Sequence, residues 1–358
     1  MVFSPIMPLV EDEFIVSHAQ ASGIFVFLSA GYGVAVIISG FFSGTFGYKK
    51  SIIFSLLLLG LISFSIPFVH KFWLLYIFAF VLGFSMGFYI PSAIPLMTEY
   101  YSENNWGKVI AIHDTGASIA VFAVPFIALF LLQFFSWRGI FVVFAFIFLA
   151  SALVFSFACS EVKLGNPPKT VFRDLVKIRS LWLMAILWIF GAGANLGIYS
   201  IIPLYLAKEL GLAIGHANTI LGISRLGSIG VAISCGFLID RFNLRRVMFL
   251  VLLITGGLTV LMGVASARFM GIILFLQAFC VAAFFPVGLV AIAKTFSREM
   301  RSLATGIILA LSIVSGGGLI PYLLGLSGDL YSFRLGITIL GIFVALSSRL
   351  VFNLKELE

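Results

Sequence analysis

The sequence predicts an all-α polytopic membrane protein, and three observations carry that prediction. Of 358 residues, 61% are hydrophobic and 10% are charged, against roughly 25% charged in an ordinary soluble domain. Apolar runs of the ~20 residues needed to cross a hydrocarbon core follow one another, separated by short polar breaks. Lysine and arginine are concentrated in alternate breaks, the pattern expected where positively charged loops stay on the cytoplasmic side.

Residues 1–10 are apolar, but at 1.5 Å per residue they cover only about half of a ~30 Å core before Glu11, Asp12 and Glu13 stop them. They read as the end of a first helix whose beginning is missing, and they lack the basic start and small-residue cleavage site of a secretory signal. Eleven full spans are expected after them, each bounded by charge. Residues 19–42 lie between the acidic cluster and Lys49-Lys50, residues 51–69 reach His70-Lys71, and residues 72–97 reach Glu99. Residues 109–133 run from Lys108 toward Arg138, and residues 139–158 run on to Glu161. In the second half, residues 181–206 lie between Arg179 and Lys208, residues 217–239 between His216 and Asp240, and residues 247–265 between Arg246 and Arg268. Residues 269–293 end at Lys294, residues 303–326 lie between Arg301 and Asp329, and residues 335–352 lie between Arg334 and Lys355.

One set of alternate breaks holds Lys49, Lys50, Lys108, Lys163, Lys169, Arg173, Lys177, Arg179, Arg241, Arg245, Arg246, Lys294, Arg298, Arg301, Arg349 and Lys355; the other holds Lys71, Arg138, Lys208, Arg268 and Arg334. The first set and the C-terminus are therefore expected in the cytoplasm, and the net charge of +8 is largely a topology signal. No basic stripe with interleaved aromatics occurs, which argues against nucleic acid as a partner. Cys159, Cys235 and Cys280 lie in or beside apolar runs without metal-ligand spacing and read as small buried residues. No metal or cofactor is expected. The longest polar break contains Asn166-Pro167-Pro168, which cannot continue a helix. It divides the chain into an N-terminal bundle (1–158), a cytoplasmic linker (159–180) and a C-terminal bundle (181–358).

The two halves repeat. At an offset of about 196 residues, Gly40-Phe41-Phe42 meets Gly236-Phe237-Leu238, Lys49-Lys50 meets Arg245-Arg246, and Ser136-Trp137-Arg138 meets Ser332-Phe333-Arg334. The segment Gly236-Phe237-Leu238-Ile239-Asp240-Arg241-Phe242-Asn243-Leu244-Arg245-Arg246 resembles the signature loop of the major facilitator superfamily, Gly-x-x-x-Asp-Arg-x-x-x-Arg-Arg, between the eighth and ninth helices. The resemblance covers essentially the whole chain. It implies two pseudo-symmetric six-helix bundles, with a partial first helix here, and transport of a small solute by alternating access. It also implies that Gly236, Asp240, Arg241, Arg245 and Arg246, with Lys49 and Lys50 of the first-half copy, gate the cytoplasmic side. Gly44 and Thr45 stand where that copy would carry Asp and Arg, so Asp240 is expected to bear more of the latch.

Ionisable groups within spans cost about 2.5–3.5 kcal/mol at the helix centre, so each is a functional candidate. Arg225 lies near the middle of residues 217–239 and is either a ligand for an anion or a structural tether. Asp114, roughly 10 Å inside its span, is either a protonatable coupling group or an interface carboxylate, and a depth difference of roughly 10 Å counts against its pairing with Arg225. His113 is adjacent to Asp114, about 100° round the helix, and reads as an interface residue or a coupling residue. Gly191-Ala192-Gly193-Ala194-Asn195, with Gly197, Tyr199 and Pro203, suggests a bent or locally opened helix beside a cavity. Asn195 and Tyr199, one turn apart, would present an amide and a hydroxyl there. The run Ser315-Gly316-Gly317-Gly318 is read as a packing or hinge position, and Gly83 and Gly87 as a small-residue packing pair. Trp73 and Trp137, at external span ends, are read as interface anchors.

The function expected is secondary transport of a small anion such as a carboxylate. It would be bound by Arg225 with Asn195 and Tyr199 and driven by proton symport, in a monomer of a bacterial or archaeal cytoplasmic membrane. The alternatives are efflux of a neutral or lipophilic solute, a membrane-embedded enzyme, or a sensor that kept the fold. The scattering of His18, His70, His113 and His216 over different segments gives no catalytic constellation.

Overall fold

The structure is a computed structural model and describes residues 2–102, 105–160, 172–228, 231 and 241–357. Among them there is no strand. The first seven helices are α1 (Phe3–Phe14), α2 (His18–Phe46), α3 (Tyr48–Ser65), α4 (Phe72–Gly87), α5 (Tyr89–Tyr100), α6 (Trp106–Leu131) and α7 (Trp137–Ala158). A short α8 (Phe172–Leu175) precedes α9 (Arg179–Ala192), α10 (Ile198–Leu204) and α11 (Ile214–Ser224). The rest are α12 (Leu244–Val264), α13 (Met270–Thr295), α14 (Arg298–Leu311), α15 (Ile320–Leu330) and α16 (Phe333–Ser347). Ten helices or runs of abutting helices among the described residues are long and apolar enough to cross a membrane. The eleventh expected span, residues 217–239, is described only as far as α11 and the few residues beyond it.

The chain forms two compact units. Unit 2 comprises Ile24–Ala120 and Ile127–Pro168. Its α2 and α4 meet backbone to backbone, because Gly31 and Gly83 carry no Cβ at the crossing. In α3, the Ser55 hydroxyl donates to the Ser85 carbonyl at 2.7 Å, and Gly60 lies against Leu149 and Ala145 of α7. Phe146, Leu153, Val154 and Phe157 are exposed on α7, as expected where the surrounding solvent is hydrocarbon. The span expected as residues 72–97 is two helices, α4 and α5, parting at Phe88, which is buried against Phe42, Phe54 and Phe84.

Unit 1 comprises Met1–Gly23, Val121–Phe126 and Lys169–Glu358. In it, α9 passes through a π-helical turn (Gly193–Gly197) into α10 and then a second π-helical turn (Tyr205–Glu209). A third π-helical turn, Ser312–Leu319, joins α14 to α15 and packs on the first. A Cβ on Gly316 would stand 2.7 Å from the Gly193 nitrogen and the Ile189 carbonyl. Glycine at this crossing lets two widened helices touch.

Two expectations are corrected. The acidic cluster does not stop the opening helix: α1 runs to Phe14, because Glu11 is buried and paired with His18 and Lys208 instead of facing lipid. Trp137 is not an interface anchor. It is 4% exposed, with the Arg138 guanidinium 4.4 Å over its ring, whereas Trp73 is 55% exposed. Cys159 and Cys280 are only half-buried, and Cys235 lies outside the described residues.

Candidate functional site

The site is built on two interruptions of helical geometry. Proline at position 203 has no N–H, so the carbonyl of Tyr199, four residues earlier, lacks its helical donor. The Ser4 hydroxyl of α1 donates to that carbonyl at 2.6 Å, and the Asn218 amide of α11 donates to the Pro5 carbonyl at 2.9 Å. These bonds tie α1 to α10 and α11. Just past the end of α11, the tightening of the chain at Arg225 is visible in its N–H, which donates to the Gly222 carbonyl at 3.0 Å, and in its carbonyl, which accepts from the Ser228 N–H at 3.1 Å.

Arg225 is 3% exposed. Its Nη1 donates to Asn195 Oδ1 at 2.7 Å, and its guanidinium carbon lies 4.9 Å from the centre of the buried Tyr199 ring. Its Nε and Nη2 are buried with no hydrogen-bond partner among the described residues. Nη1 is the nitrogen on the Cδ side, so the two unpartnered N–H groups share the opposite edge of the guanidinium plane. That edge is a parallel fork, the geometry that meets both oxygens of a carboxylate. A buried cation whose fork meets no partner among the described residues is costly to keep, and such costs are concentrated at binding sites.

The three expected ligands thus lie together, with a division of labour that differs from the expected one. Asn195 projects from the π-helical turn and spends its amide oxygen on Arg225. The Tyr199 hydroxyl donates to the Val121 carbonyl at 3.2 Å, leaving the ring face as its contribution.

Sequence reasoning missed Gln277. It is fully buried on α13, and its Nε2 donates to the Ala194 carbonyl at 2.8 Å and to Thr259 Oγ1 at 3.3 Å. The bond to Ala194 fastens Gln277 to the turn that carries Asn195. The available signal was a lone amide inside an otherwise apolar span. Gln277→Leu is expected to cost about 0.5–1.5 kcal/mol of stability, since it removes the hydrogen bond that holds the turn. Solute affinity should fall several-fold with it. An unchanged thermal unfolding midpoint would show that the bond supports nothing.

The other expected residues lie elsewhere. His113 Nε2 is 3.1 Å from the Tyr89 hydroxyl, with the two rings stacked 5.7 Å apart in unit 2. The backbone of Asp114 lies in α6, and its side chain is outside the described residues, as are Gly236 and Asp240. Lys50, Arg241 and Arg246 are exposed, and Lys49 is half-buried. Asn243 caps α12 by accepting from the Arg246 N–H at 3.3 Å. Arg245 donates from Nε to the Val351 carbonyl at 3.4 Å and from Nη2 to the Phe352 carbonyl, and stacks on the Phe352 ring. It thereby satisfies carbonyls at the end of the last helix, where a cation is favourable.

The family model described as Major Facilitator Superfamily matches this chain over residues 1–238 and 196–356. The chain belongs to the major facilitator superfamily. This major facilitator protein is therefore a membrane transporter of the secondary class, acting on small solutes. It is 26% identical over 267 residues to a protein named TsgA homolog from Buchnera aphidicola subsp. Acyrthosiphon pisum (strain Tuc7), a match covering 73% of this chain and 67% of that one. It is 27% identical over 263 residues to the homolog from the Schizaphis graminum subspecies, covering 72% and 66%. Among solved structures, it resembles a bacterial homolog of the human lysosomal transporter Spinster in an inward-facing, occupied conformation. There the TM-score is 0.80 at 14% identity, over 98% of this chain and 92% of that one. It also resembles a D-xylose-proton symporter, with a TM-score of 0.78 at 16% identity, over 99% and 93%. At these identities the likeness establishes the fold.

Proposed function

We propose that this transporter carries a small organic anion, a carboxylate, across the cytoplasmic membrane by alternating access of two six-helix bundles, residues 1–158 and 181–358, joined by residues 159–180. The observation that carries the reading is the Nε and Nη2 edge of Arg225, buried and without a partner among the described residues. A carboxylate would fill that fork, with the Tyr199 ring behind the guanidinium and Asn195 fixing its rotation. The protein is read as a monomer with its C-terminus in the cytoplasm, in keeping with the lysine and arginine bias. Moving an anion inward against a negative-inside potential costs ~2.3 kcal/mol per charge per 100 mV, which favours proton symport, the coupling named for the xylose transporter it resembles.

Thermal-shift titration of the purified protein with carboxylates, sugars, amino acids and lipophilic cations tests the substrate class. Stabilisation by carboxylates alone is expected, and stabilisation by the uncharged or cationic members alone would overturn it. For coupling, Asp114 is the proposed protonatable group. In proteoliposomes, Asp114→Asn is expected to abolish accumulation driven by a pH gradient and to leave solute-for-solute exchange intact. Wild-type accumulation in that variant would leave Asp114 a structural role.

A further inference from the structure

Where α1 ends and α2 begins, unit 1 gathers a set of charges that the anion site does not use. Glu11, with 7% of its side chain exposed, has Oε2 2.8 Å from His18 Nδ1 and Oε1 3.6 Å from Lys208 Nζ. Lys208, on the π-helical turn Tyr205–Glu209, also pairs with Asp12. The Asp329 carboxylate, at the end of α15, accepts the backbone N–H groups of His18 at 2.8 Å and Ala19 at 2.9 Å. The His18 ring lies 4.8 Å from the Phe333 ring of α16. Glu209 is engaged apart from these, by the Phe333 and Arg334 N–H groups and by the Arg334 side chain at 3.8 Å. Between α1 and α2, Ile15 is held at φ +52° and is 91% exposed. A β-branched residue in the left-handed region is strained, so the remaining contacts must hold this corner shut.

We propose that the Glu11–His18 pair is a proton-binding site that latches this end of the unit, holding the start of α2 against Lys208 and Asp329 while the proton is bound. The charge balance gives the sign. With His18 neutral, the carboxylates of Glu11, Asp12 and Asp329 face one lysine. A proton on His18 relieves that excess and turns its hydrogen bond to Glu11 into a charge-assisted ion pair. Closure is therefore linked to proton uptake and is lost as pH rises through the imidazole range, ordinarily near ~6.5. The cluster lies at the span ends that carry the 210–213 and 331–332 connections, and Arg245 lies at the other end of these helices. It would thus sense the compartment opposite the signature loop. The latch goes beyond the anion reading and does not depend on it.

Spin labels at Ser17→Cys and Ala213→Cys, in full-length protein in lipid nanodiscs with Cys159, Cys235 and Cys280 replaced by Ser, report the separation by pulsed electron resonance. No solute is present, and pH is varied between 5 and 8.5. The ratio of short to long separations is expected to fall about tenfold as pH rises, within the usual 5–150-fold range of such couplings. His18→Gln is expected to abolish the pH response, Glu11→Gln to favour the long separation at every pH, and Lys208→Met to weaken closure while keeping the response. Arg225→Ala is expected to leave the response intact, so a failure of the anion site does not touch this one. A pH response retained in His18→Gln, or absent from the wild type, overturns the proposal, even if Glu11→Gln does not fold.

Discussion

Arg225→Leu is expected to lose carboxylate binding by roughly 30-fold or more and, in the same protein without solute, to unfold at a higher temperature. The loss follows from removing one partner of a buried, hydrogen-bonded charge pair, which costs about 2–5 kcal/mol. The gain follows from the unliganded state, where a guanidinium 3% exposed keeps two N–H groups without a partner among the described residues. Replacing buried ionic groups with apolar side chains of similar size is often stabilising, by about 1–4 kcal/mol. Asn195 loses its Arg225 contact in the exchange, but it is only half-buried and recovers part of that loss from solvent. Arg225→Lys separates charge from shape: the ammonium keeps the charge and loses both the fork and the reach to Asn195, so binding should stay close to that of Arg225→Leu. Calorimetric titration and thermal unfolding of the three proteins check this. If Arg225 is only a tether, all variants lose stability and the survivors bind normally, the opposite sign on both axes.

What could be read from the sequence follows the range of the interactions involved. The spans were legible because insertion into hydrocarbon is decided by about 20 consecutive residues, and ten of the eleven expected runs are helices long enough to cross. Arg225, Asn195 and Tyr199 were legible singly, as a charge in an apolar run and polar groups on a glycine-rich one. Their contact, across 30 residues of chain, was not. Nor was the Tyr199 hydroxyl's attachment to Val121, 78 residues away, which takes it out of the binding inventory. Glu11 was misread for the same reason. A carboxylate ends an apolar run only when it has nothing to pair with, and its partner Lys208 lies almost two hundred positions downstream. Trp137 failed in the other direction, since an indole at a span end anchors to the interface unless a neighbouring span covers it.

Glycine substitutions in unit 2 should split by sign although the chemical change is the same. In α2 and α4, a Cβ on Gly31 would stand 2.0 Å from the Phe80 carbonyl oxygen, and one on Gly83 would stand 1.7 Å from the Leu28 carbonyl oxygen. Gly87, one turn along, would meet Ala35 Cβ at 2.6 Å and the Tyr32 carbonyl at 2.7 Å. The two helices thus touch through reciprocal glycines, the close approach that dispersion requires in a lipid setting where burial supplies no hydrophobic drive. The blocking atoms are backbone, which cannot rotate aside, so Gly83→Ala must push the helices apart and is expected to cost at least about 1–3 kcal/mol. Gly83→Val should prevent the crossing and leave little folded protein. At Gly44, also in α2, a Cβ meets nothing within 4 Å. There alanine only removes the backbone freedom of glycine, and Gly44→Ala should stabilise by up to about 1 kcal/mol. Monodisperse yield and thermal unfolding midpoints of the three variants provide the comparison. A Gly83→Ala protein as stable as Gly44→Ala would mean that α2 and α4 do not meet at these glycines.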